Sequence, residues 1–490
     1  MNKPGDLPLT AQSLACHFIG NEWVRSAEGR TLPVIDPSTG EVFAELGRGG
    51  AKDIDAAVAS AREAFEGAWG AIAPAERGRL LLKLSQLITV EGERLARIES
   101  RDVGKPLAQS KRDIAATARY FEFYSGACDK LAGEVLPYAA GYTVMTLRVP
   151  FGVTGHIVPW NYPSQIFGRS VGAALAAGNA CVLKPPEDAS LALMEIAQLT
   201  IEAGFPAGAL NVVTGLGAEA GAALAQHPGI DHISFTGSPA TGTSVSQAAA
   251  THHCPVTLEL GGKSPQLVFA DADIDAAVPV IVNAIVQNAG QTCSAGSRLL
   301  VERVAYEVVL AKVAEAFKAL VCGPVERDPD VGPLVNARQL ERVRAYVKRA
   351  QADGLRCVAT GSVAPTAPSG GFYHPPMLFA DVPASHPLAQ EEIFGPVLVA
   401  MPFDTEEQAI ALANGTPYGL LAGVWTRDGG RQMRLARALK SGQVFVNDYG
   451  AGGGVELPFG GVKKSGHGRE KGWAGLLSFT TLKTVAIKHG

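Results

Sequence analysis

With 490 residues, 47% of them hydrophobic, the chain is too long for one ordinary core, so two or three globular domains are expected. A formal net charge of −4 without a basic stripe argues against a nucleic-acid or membrane partner, and no apolar run approaches the ~18 residues of a transmembrane helix. The start MNKPGDLPLT lacks the layout of a signal peptide. Seven scattered cysteines without a C-x-x-C pair predict neither disulfides nor a metal site, as in a reducing cytoplasm.

The N-terminal part of the chain predicts short strands followed by long helices. Segments 18–24 and 31–46 are typical of strands joined by turns. Apolar residues at three- and four-residue spacing then predict amphipathic helices at 53–65, 75–99 and 113–128.

From residue 150, short β-branched runs alternate with alanine-rich helical stretches. The runs are GVTGHIVPW, ACVLKP, ALNVVTG and HISFTGS, and the helical stretches are 164–177, 188–203, 216–226 and 239–251. This alternation predicts a parallel, doubly wound sheet whose ligands lie at the carboxyl ends of its strands. Asn161, Lys184, 214–217, Gly237 and Ser238 end these runs and are expected at that edge.

A second α/β set is predicted from about Leu260 onward. Its helices are expected at 272–289, 305–320, 336–352, 403–415 and 428–442, and its strands at 298–302, 355–360 and 396–403. The last run, 476–490, and the run 141–149 are both β-like and are expected to form a small outlying sheet. Edge strands of this kind are natural contacts between subunits.

Two motifs offer groups for covalent chemistry. GQTCSAGS (290–297) sets Cys293 among small residues that leave room for a substrate, although a cysteine more often packs in a core. TLELGGKSP (257–265) places Glu259 in an apolar run. Apolar surroundings would raise the pKa of this carboxyl and fit it to activate water, whereas the alternative is a solvated strand end.

A rigid amide and a charged pair follow two of the predicted strands. In PWNYP (159–163), prolines flank Asn161, so its side chain suits an oxyanion site, although asparagine also favours ordinary turns. LKPPED (183–188) offers Lys184 and Glu187, which suit ribose hydroxyls; the alternative for Glu187 is a helix N-terminal carboxylate.

The usual dinucleotide fingerprint is absent. GLGAEAG (215–221) is one residue too long, and FTGSPATG (235–242) is a better phosphate turn, or else an ordinary βα turn. In EEIFGPV (391–397), Glu392 could hold a ribose and Phe394 could pack a nicotinamide ring; the alternatives are a surface carboxylate and core packing.

Taken together, these motifs resemble one family in order and spacing. The runs are PWNYP, LKPPE, FTGS, LELGGKSP, GQTCSAGS, EEIFGPV and LPFGGVKKSGHGRE, and they resemble the aldehyde dehydrogenase superfamily over nearly the whole chain. The resemblance implies an α/β fold with a modified Rossmann NAD-binding domain, an α/β catalytic domain and a small β oligomerisation extension. The implied bounds are 1–128 with 150–259, then 260–460, then 129–149 with 476–490. Homodimers or homotetramers are implied as well.

The resemblance also implies the site. Cys293 would attack a small-molecule aldehyde, the Asn161 side chain and the Cys293 amide would hold the oxyanion, and Glu259 would activate the water that releases the acid. NAD is the implied cofactor, with NADP as second choice because some relatives with Glu187 accept both. The implied cofactor contacts are Pro159, Trp160, Lys184, Glu187, Gly217, Phe235, Gly237, Ser238, Thr241, Leu260, Gln339, Glu392 and Phe394.

The chain departs from the family pattern at two places. Many members have Trp–Lys where this chain has Arg169 and Ser170, and that lysine is thought to join a proton relay with the equivalent of Glu470. The loop 450–457 (GAGGGVEL) is nearly without side chains. We hypothesise a wide pocket for a carboxylate-bearing or aromatic aldehyde, with Arg169 as a clamp or, alternatively, paired with Glu456. The expected pocket residues are Tyr162, Ile166, Arg169, Thr292, Ser294, Glu456 and Phe459.

Two rival functions remain open from the sequence. One is a semialdehyde dehydrogenase that passes the acyl group to coenzyme A, although members of that kind usually lack a glutamate at the place of Glu259. The other is a non-catalytic member, which the intact Cys293, Glu259 and Asn161 disfavour.

Overall fold

The computed structural model describes residues 15–450 and 454–489, so three residues of the glycine-rich loop 450–457 and the two chain ends lie outside the described residues. The strands are, in chain order, β1 (Cys16–Ile19), β2 (Glu22–Arg25), β3 (Thr31–Ile35), β4 (Val42–Gly47), β5 (Glu134–Leu136), β6 (Tyr142–Pro150), β7 (Val153–Ile157), β8 (Ala180–Lys184), β9 (Leu210–Val212), β10 (His232–Thr236), β11 (Val256–Glu259), β12 (Pro265–Val268), β13 (Arg298–Glu302), β14 (Val321–Cys322), β15 (Arg356–Thr360), β16 (Ser362–Val363), β17 (Met377–Ala380), β18 (Val397–Phe403), β19 (Leu421–Trp425), β20 (Gln443–Val446), β21 (Gly466–His467) and β22 (Thr480–Lys488).

Helices connect these strands throughout the chain. They are α1 (Ala51–Glu66), α2 (Pro74–Val90), α3 (Gly92–Val103), α4 (Leu107–Ser125), α5 (Pro163–Ala177), α6 (Leu191–Ala203), α7 (Ala222–Gln226), α8 (Pro239–Ala250), α9 (Ile274–Val286), α10 (Arg303–Ala319), α11 (Ala337–Ala352), α12 (Pro387–Gln390), α13 (Glu406–Asn414), α14 (Gly429–Ala438) and α15 (Gly472–Leu477). Single-turn helices add Cys128–Lys130, Gly217–Gly221, Gln287–Gly290, Val325–Arg327 and Lys463–Ser465.

The first large sheet has the order β2-β1-β9-β8-β7-β10-β11-β21. Its five central strands, from β9 to β11, run parallel, and antiparallel strands close both edges. The residues of β7, β8 and β10 are buried throughout, as in a parallel sheet covered by helices on both faces. The predicted doubly wound parallel sheet is therefore confirmed.

The second large sheet has the order β15-β17-β18-β13-β12-β19-β20, parallel except for β15 at its edge. Each of the two sheets lies in its own hydrophobic core, one built mainly from residues before Leu260 and the other from residues after it. Strands β12, β17, β19 and β20 were not predicted from the sequence. Their short apolar runs lack a period that would separate a buried strand from a helix segment.

A third sheet has the order β22-β6-β5 and is antiparallel. Strand β22 pairs with β6 along its whole length, from Thr480 opposite Pro150 to Lys488 opposite Tyr142. The two distant segments therefore pair as the sequence predicts. Val135, Tyr138 and Leu482 leave apolar side chains exposed on or beside this sheet.

One predicted element is wrong in its extent. The expected single helix at 75–99 is two helices, α2 and α3, because the backbone leaves the helical region at Glu91. The preceding Thr89 and Val90 are β-branched and the following residue is Gly92, so helix propensity is lowest at this point. Among the described residues, no helix is long and apolar enough to cross a membrane.

Candidate active site

The order of the first sheet creates a crevice at its carboxyl edge. Strand β7 lies in the centre, with β8 and β9 on one side and β10 and β11 on the other. The connections after β7 and β10 therefore leave the sheet in different directions. In open α/β sheets, a ligand binds at the carboxyl ends where the strand order switches in this way. Pro159, Trp160 and Asn161 follow β7 directly and thus lie at this edge.

A buried ion pair occupies the end of β8. The ammonium of Lys184 lies 2.7 Å from a carboxylate oxygen of Glu187, and Lys184 is almost fully buried. Burial opposes ionisation of Glu187, but Lys184 and the backbone amide of Gly217 outweigh it and hold the pKa of this carboxyl below its ordinary value. The carboxylate is therefore ionised at neutral pH and faces the turn that begins at Gly217.

The turn after β10 leads into an N-capped helix. The hydroxyl oxygen of Ser238 accepts a hydrogen bond from the Thr241 amide at 3.2 Å, which caps helix α8. Gly237 is needed because a Cβ there would lie 2.5 Å from the Phe235 ring. Leu260 packs against Gly242 on the same helix. The amides at this helix start suit the phosphates of a dinucleotide.

The segment EEIFGPV lies across this crevice. The carboxylate of Glu392 accepts a hydrogen bond from the Gly262 amide at 3.0 Å, and burial raises the pKa of Glu392 to about 7. Phe394 meets Trp160 edge to face, with ring centroids 5.3 Å apart. Its backbone is left-handed, and the Gln339 amide donates to its carbonyl at 2.7 Å. Gln339 therefore orients this segment through the backbone.

Cys293 opens into a cavity of about 440 Å³ between the two cores. Helices α4, α5 and α9 form its walls. Of the seven expected pocket residues, the cavity wall includes Tyr162, Ile166, Arg169, Thr292, Ser294 and Phe459. The remaining lining residues are Gln109, Arg112, Asp113, Ala116, Asn161, Gln165, Asn283, Gln287 and Cys293.

Backbone contacts fix the loop that carries Cys293. Three consecutive residues, Asn288 to Gly290, have left-handed backbone and turn the chain sharply after α9. A Cβ on Gly262 would lie 2.4 Å from the Cys293 carbonyl oxygen, and a Cβ on Gly290 would lie 2.2 Å from that of Gly395. Gly262 and Gly290 must therefore be glycines, because other backbone segments approach this loop too closely to leave room for a Cβ.

Asn161 is held rigidly beside this loop. Its side-chain amide donates to the Gln291 carbonyl at 2.9 Å, and its own carbonyl accepts from the Asn288 side chain at 2.8 Å. Pro163 occupies the first turn of α5, where its missing N–H has no helical partner anyway. One hydrogen bond therefore holds the side-chain amide of Asn161 and another holds its backbone, and the residue lines the cavity.

Glu259 ends β11 and is buried, with both carboxylate oxygens lacking a hydrogen-bond partner. Burial and the charge of Glu470 raise its pKa well above the ordinary value, while Arg169 and Arg469 oppose them. Gly460 makes room for the carboxylate, because a Cβ there would lie 2.6 Å from it. Glu259 does not line the cavity, but its charge reaches the Cys293 thiol.

Burial raises the pKa of the Cys293 thiol to about 12, and the charge of Arg169 opposes that rise. Cys293 is partly exposed, whereas the other cysteines are buried except for Cys357, which is exposed. Among the described residues, no group of three or more His, Cys, Asp or Glu side chains is placed to hold a metal ion.

Residues 23–485 match the sequence model of the aldehyde dehydrogenase family. The chain belongs to this family. A betaine aldehyde dehydrogenase from Cereibacter sphaeroides is 43% identical over 486 residues, 98% of this chain and 99% of the relative. A Burkholderia cenocepacia protein assigned to the aldehyde dehydrogenases is 66% identical in its crystal structure, with a TM-score of 0.96 over 97% of this chain and all of that chain. Indole-3-acetaldehyde dehydrogenase from P. syringae, solved with NAD+ and IAA, is 42% identical, with a TM-score of 0.94 over 97% and 96% of the two chains.

Membership confirms the predicted family, the α/β fold and the enzyme class, an NAD(P)-dependent oxidoreductase acting on aldehydes. The residues that the family resemblance singled out surround one crevice and one cavity, with three exceptions. Gln339 supports the Phe394 backbone, and neither Glu259 nor Glu456 lines the cavity.

The hypothesis that Arg169 pairs with Glu456 is wrong. Arg169 forms an ion pair with Glu470, and Glu456 is exposed and pairs with Arg119 on helix α4. Glu456 lies too near the outer end of the loop to reach the buried arginine, and Arg119 satisfies its charge at the surface. Ser170, where many aldehyde dehydrogenases have lysine, is buried and donates to the Ile166 carbonyl at 3.0 Å.

Sequence reasoning missed the wall that α4 contributes. Gln109, Arg112, Asp113 and Ala116 recur at three- and four-residue spacing, so they share one face of this helix. Behind that face, the buried ammonium of Lys105 contacts Asp113 and lies 4.2 Å from the Tyr162 ring centroid. The spacing alone was visible, but nothing in the sequence says that this helix faces Cys293.

Proposed function

We propose that the protein oxidises an aldehyde to the carboxylic acid with NAD, through a hemithioacetal and then a thioester on Cys293. The observation that carries this proposal is that Cys293 and the held amide of Asn161 line one cavity, while the unpartnered buried carboxylate of Glu259 lies close enough for its charge to act on the Cys293 thiol. The balance is one aldehyde, one NAD+ and one water giving one acid, one NADH and one proton.

The first step is attack of the Cys293 sulfur on the carbonyl carbon. The thiol loses its proton to solvent, which is the proton released in the overall balance, and its negative charge passes to the aldehyde oxygen as the C–S bond forms. A side-chain amide has two N–H groups, and the Gln291 carbonyl holds one of those on Asn161. The other N–H, with the Cys293 backbone amide, stabilises the oxyanion.

Collapse of the oxyanion re-forms the C=O bond and leaves a thioester. NAD, which Lys184, Glu187 and Glu392 would hold, would supply the acceptor for the hydride of the aldehyde carbon. Glu259 then takes a proton from water as the water oxygen attacks the thioester, the C–S bond breaks, and Glu259 passes that proton on to return the Cys293 thiol. A carboxyl whose pKa is raised by burial is suited to this work near neutral pH.

The crevice suits NAD better than NADP. The ionised carboxylate of Glu187 beside Lys184 accepts a hydrogen bond from a ribose hydroxyl and repels a 2′-phosphate. The turn at Ser238 and the capped start of α8 suit the pyrophosphate. Glu392 and the Phe394–Trp160 pair suit the nicotinamide ribose and ring. NADP remains the second choice.

The assembly and the compartment are further parts of the proposal. The domain bounds are those expected from the resemblance, with the third sheet as the contact between subunits of a homodimer or homotetramer. The exposed apolar side chains of Val135 and Leu482 support this role, and light scattering of the purified chain measures the mass. A free thiol at Cys293 requires a reducing compartment, so we place the protein in the cytoplasm.

An aldehyde panel tests the proposed function. Aliphatic, aromatic, amino- and carboxy-aldehydes are incubated with NAD or NADP, with and without coenzyme A, while NADH absorbance and the product are recorded. We expect the free acid, faster turnover with NAD, and no dependence on coenzyme A. An acyl-coenzyme A product would instead establish the acylating alternative, and a flat trace across the panel would establish a non-catalytic member.

For the substrate we propose a carboxylate-bearing or aromatic aldehyde. The floor of the cavity has the apolar and aromatic side chains of Tyr162, Ile166 and Phe459. Because Glu470 engages Arg169, the guanidinium available for a substrate carboxylate is that of Arg112, which is exposed, lines the cavity and has no ion-pair partner among residues 15–450 and 454–489.

Arg112→Gln is expected to raise KM about 10-fold for 4-oxobutanoate and to leave that for butanal unchanged, because only the charged end of the substrate loses a partner. Steady-state kinetics measure the ratio of the two KM values, that for 4-oxobutanoate to that for butanal. Lys111→Gln is the matched control, since Lys111 is the adjacent cation and pairs with Glu93 away from the cavity. An unchanged ratio in Arg112→Gln would remove the carboxylate-bearing aldehydes from the proposal.

A further inference from the structure

Arg169 is fixed at the cavity wall by groups from several elements. It lies on helix α5 and is buried, and its Nε forms an ion pair with Glu470. A second guanidinium nitrogen lies 3.3 Å from the Thr236 hydroxyl at the end of β10. The guanidinium also lies 4.9 Å from the centroid of the Phe459 ring. These contacts hold the guanidinium on the wall of the cavity that Cys293 also lines.

Glu470 is fixed as firmly as its partner. The Ser234 hydroxyl donates to its other carboxylate oxygen at 2.7 Å, and its backbone exchanges two hydrogen bonds with that of Phe459. The segment before it, β21, pairs with the strand that ends in Glu259. The ion pair therefore lies near both groups that the reaction needs ionised: Arg169 shares the cavity wall with the thiol, and both members of the pair act on the water-activating carboxylate.

Arg169 is the cation that acts on both groups. The charged groups facing Glu259 are Glu470, Arg169 and Arg469, and its own charge reaches the thiol. The charged groups facing Cys293 are Arg169, Glu392 and Glu259. In both sets, Arg169 favours the ionised form against the effect of burial.

Lys471 is the other charged group beside Arg169, and it does not act on Cys293 or Glu259. Its ammonium lies 5.8 Å from the centroid of the Phe459 ring, and burial and the charge of Arg169 lower its pKa to about 8. Ser170 is neutral, and the His156 ring beside it has a pKa of about 3 because it is fully buried. An arginine does not give up its proton in a protein, so Arg169 acts by its charge and not as a proton donor.

We propose that Arg169 is a positioning residue whose permanent charge, held in place by Glu470, favours the ionised states of both Cys293 and Glu259. This inference rests on the proposed function. In this chain, an arginine–glutamate ion pair would control the charge at the reaction centre, and no relay of protons would be needed.

Arg169→Gln tests the charge directly. Loss of the cation raises the pKa of the thiol and of Glu259, and each works only when deprotonated. We expect the pH profile of Cys293 alkylation by iodoacetamide to move up by about one pH unit, with a roughly 10-fold slower reaction at pH 7.5. The acid limb of 4-nitrophenyl acetate hydrolysis, which requires no cofactor, is expected to move in the same direction.

Glu470→Gln is expected to shift the pH profile in the opposite direction. It removes the anion that raises the pKa of Glu259 and keeps the Arg169 charge, which the Thr236 hydroxyl and the Phe459 ring still contact, so the acid limb of ester hydrolysis is expected to move to lower pH. A merely structural loss would move both variants the same way. Arg169→Lys keeps the charge and is expected to restore the profile to within a few tenths of a pH unit.

Arg62→Gln is the matched control, because Arg62 is also ion-paired, with Asp231, but does not line the cavity. Thermal unfolding of each variant shows which of them fold. Unshifted profiles in folded Arg169→Gln, or shifts of the same sign in both pair variants, would overturn the inference. A wild-type chain that is not acylated by the ester and oxidises no aldehyde would instead overturn the proposed function.

Discussion

Glu259→Gln is expected to stop turnover after a single round of NADH formation. The glutamine keeps the shape of the buried side chain but cannot take a proton from water, so the thioester on Cys293 accumulates. The steady rate should fall about 10²- to 10⁴-fold, the usual contribution of a general base. Rapid mixing measures a burst of one NADH per site, and mass spectrometry of the intact chain measures the acyl adduct.

The same carboxyl sets the pH dependence of the wild-type steady rate. Its pKa is raised well above the ordinary value, first by burial and then by Glu470. The base is lost as the pH falls through that raised pKa, so the acid limb should lie well above the range of an exposed glutamate and vanish in the variant. Glu315→Gln, an exposed glutamate on α10, is the control and should leave burst and steady rate alone. Loss of the burst itself in Glu259→Gln would mean that Glu259 activates the thiol and would contradict the assigned division of roles.

Cys293→Ala is expected to abolish both the burst and the adduct, with a loss of about 10⁴-fold or more, because the other possible nucleophiles at the cavity, Tyr162, Thr292 and Ser294, are hydroxyls and far weaker than a thiol. Binding of NAD, measured by isothermal titration, should survive because the crevice residues are untouched. This separates loss of chemistry from loss of the fold.

Cys357→Ala is the matched control, since Cys357 is the exposed thiol of the chain and lies on β15. The Cys357→Ala variant should keep full activity, and its only change should be that the peptide containing position 357 is no longer alkylated. Residual turnover in Cys293→Ala above a few per cent of wild type would show that the reaction does not pass through this sulfur.

The local sequence pattern was sufficient to predict the part of the chain in which strands and helices alternate. The strands that end near Asn161, Lys184 and Ser238 were predictable because β-branched runs and glycine-marked turns alternate there with alanine-rich helices. The order of β7 to β11 then follows from general rules for parallel sheets. The break at Glu91 was missed because the apolar period continues across it, although the low helix propensity of Thr89, Val90 and Gly92 marks the point.

Only those residues of the candidate site that lie in recognisable motifs were predictable from the sequence. The motif around Cys293 was visible, but the partner of Arg169 depends on a contact between residues 301 positions apart in the chain. Likewise, the apolar period of α4 shows that one of its faces is buried but not that Gln109 faces Cys293. Such pairings are set by the packing of whole helices, which local propensity does not encode.

The close backbone contacts around Cys293 have a consequence for altering this enzyme. Gly262 and Gly290 hold the nucleophile through main-chain atoms, whereas the outer cavity wall consists of α4 side chains such as Gln109, Arg112 and Ala116. Gln109 accepts a hydrogen bond from the Asn288 amide and so helps to hold the Cys293 loop. A library of substitutions at Arg112 and Ala116 can therefore change which aldehyde enters without displacing the sulfur. Selection for a new substrate should therefore exhaust these wall positions before it reaches the glycines, where nearly every replacement destroys the catalyst.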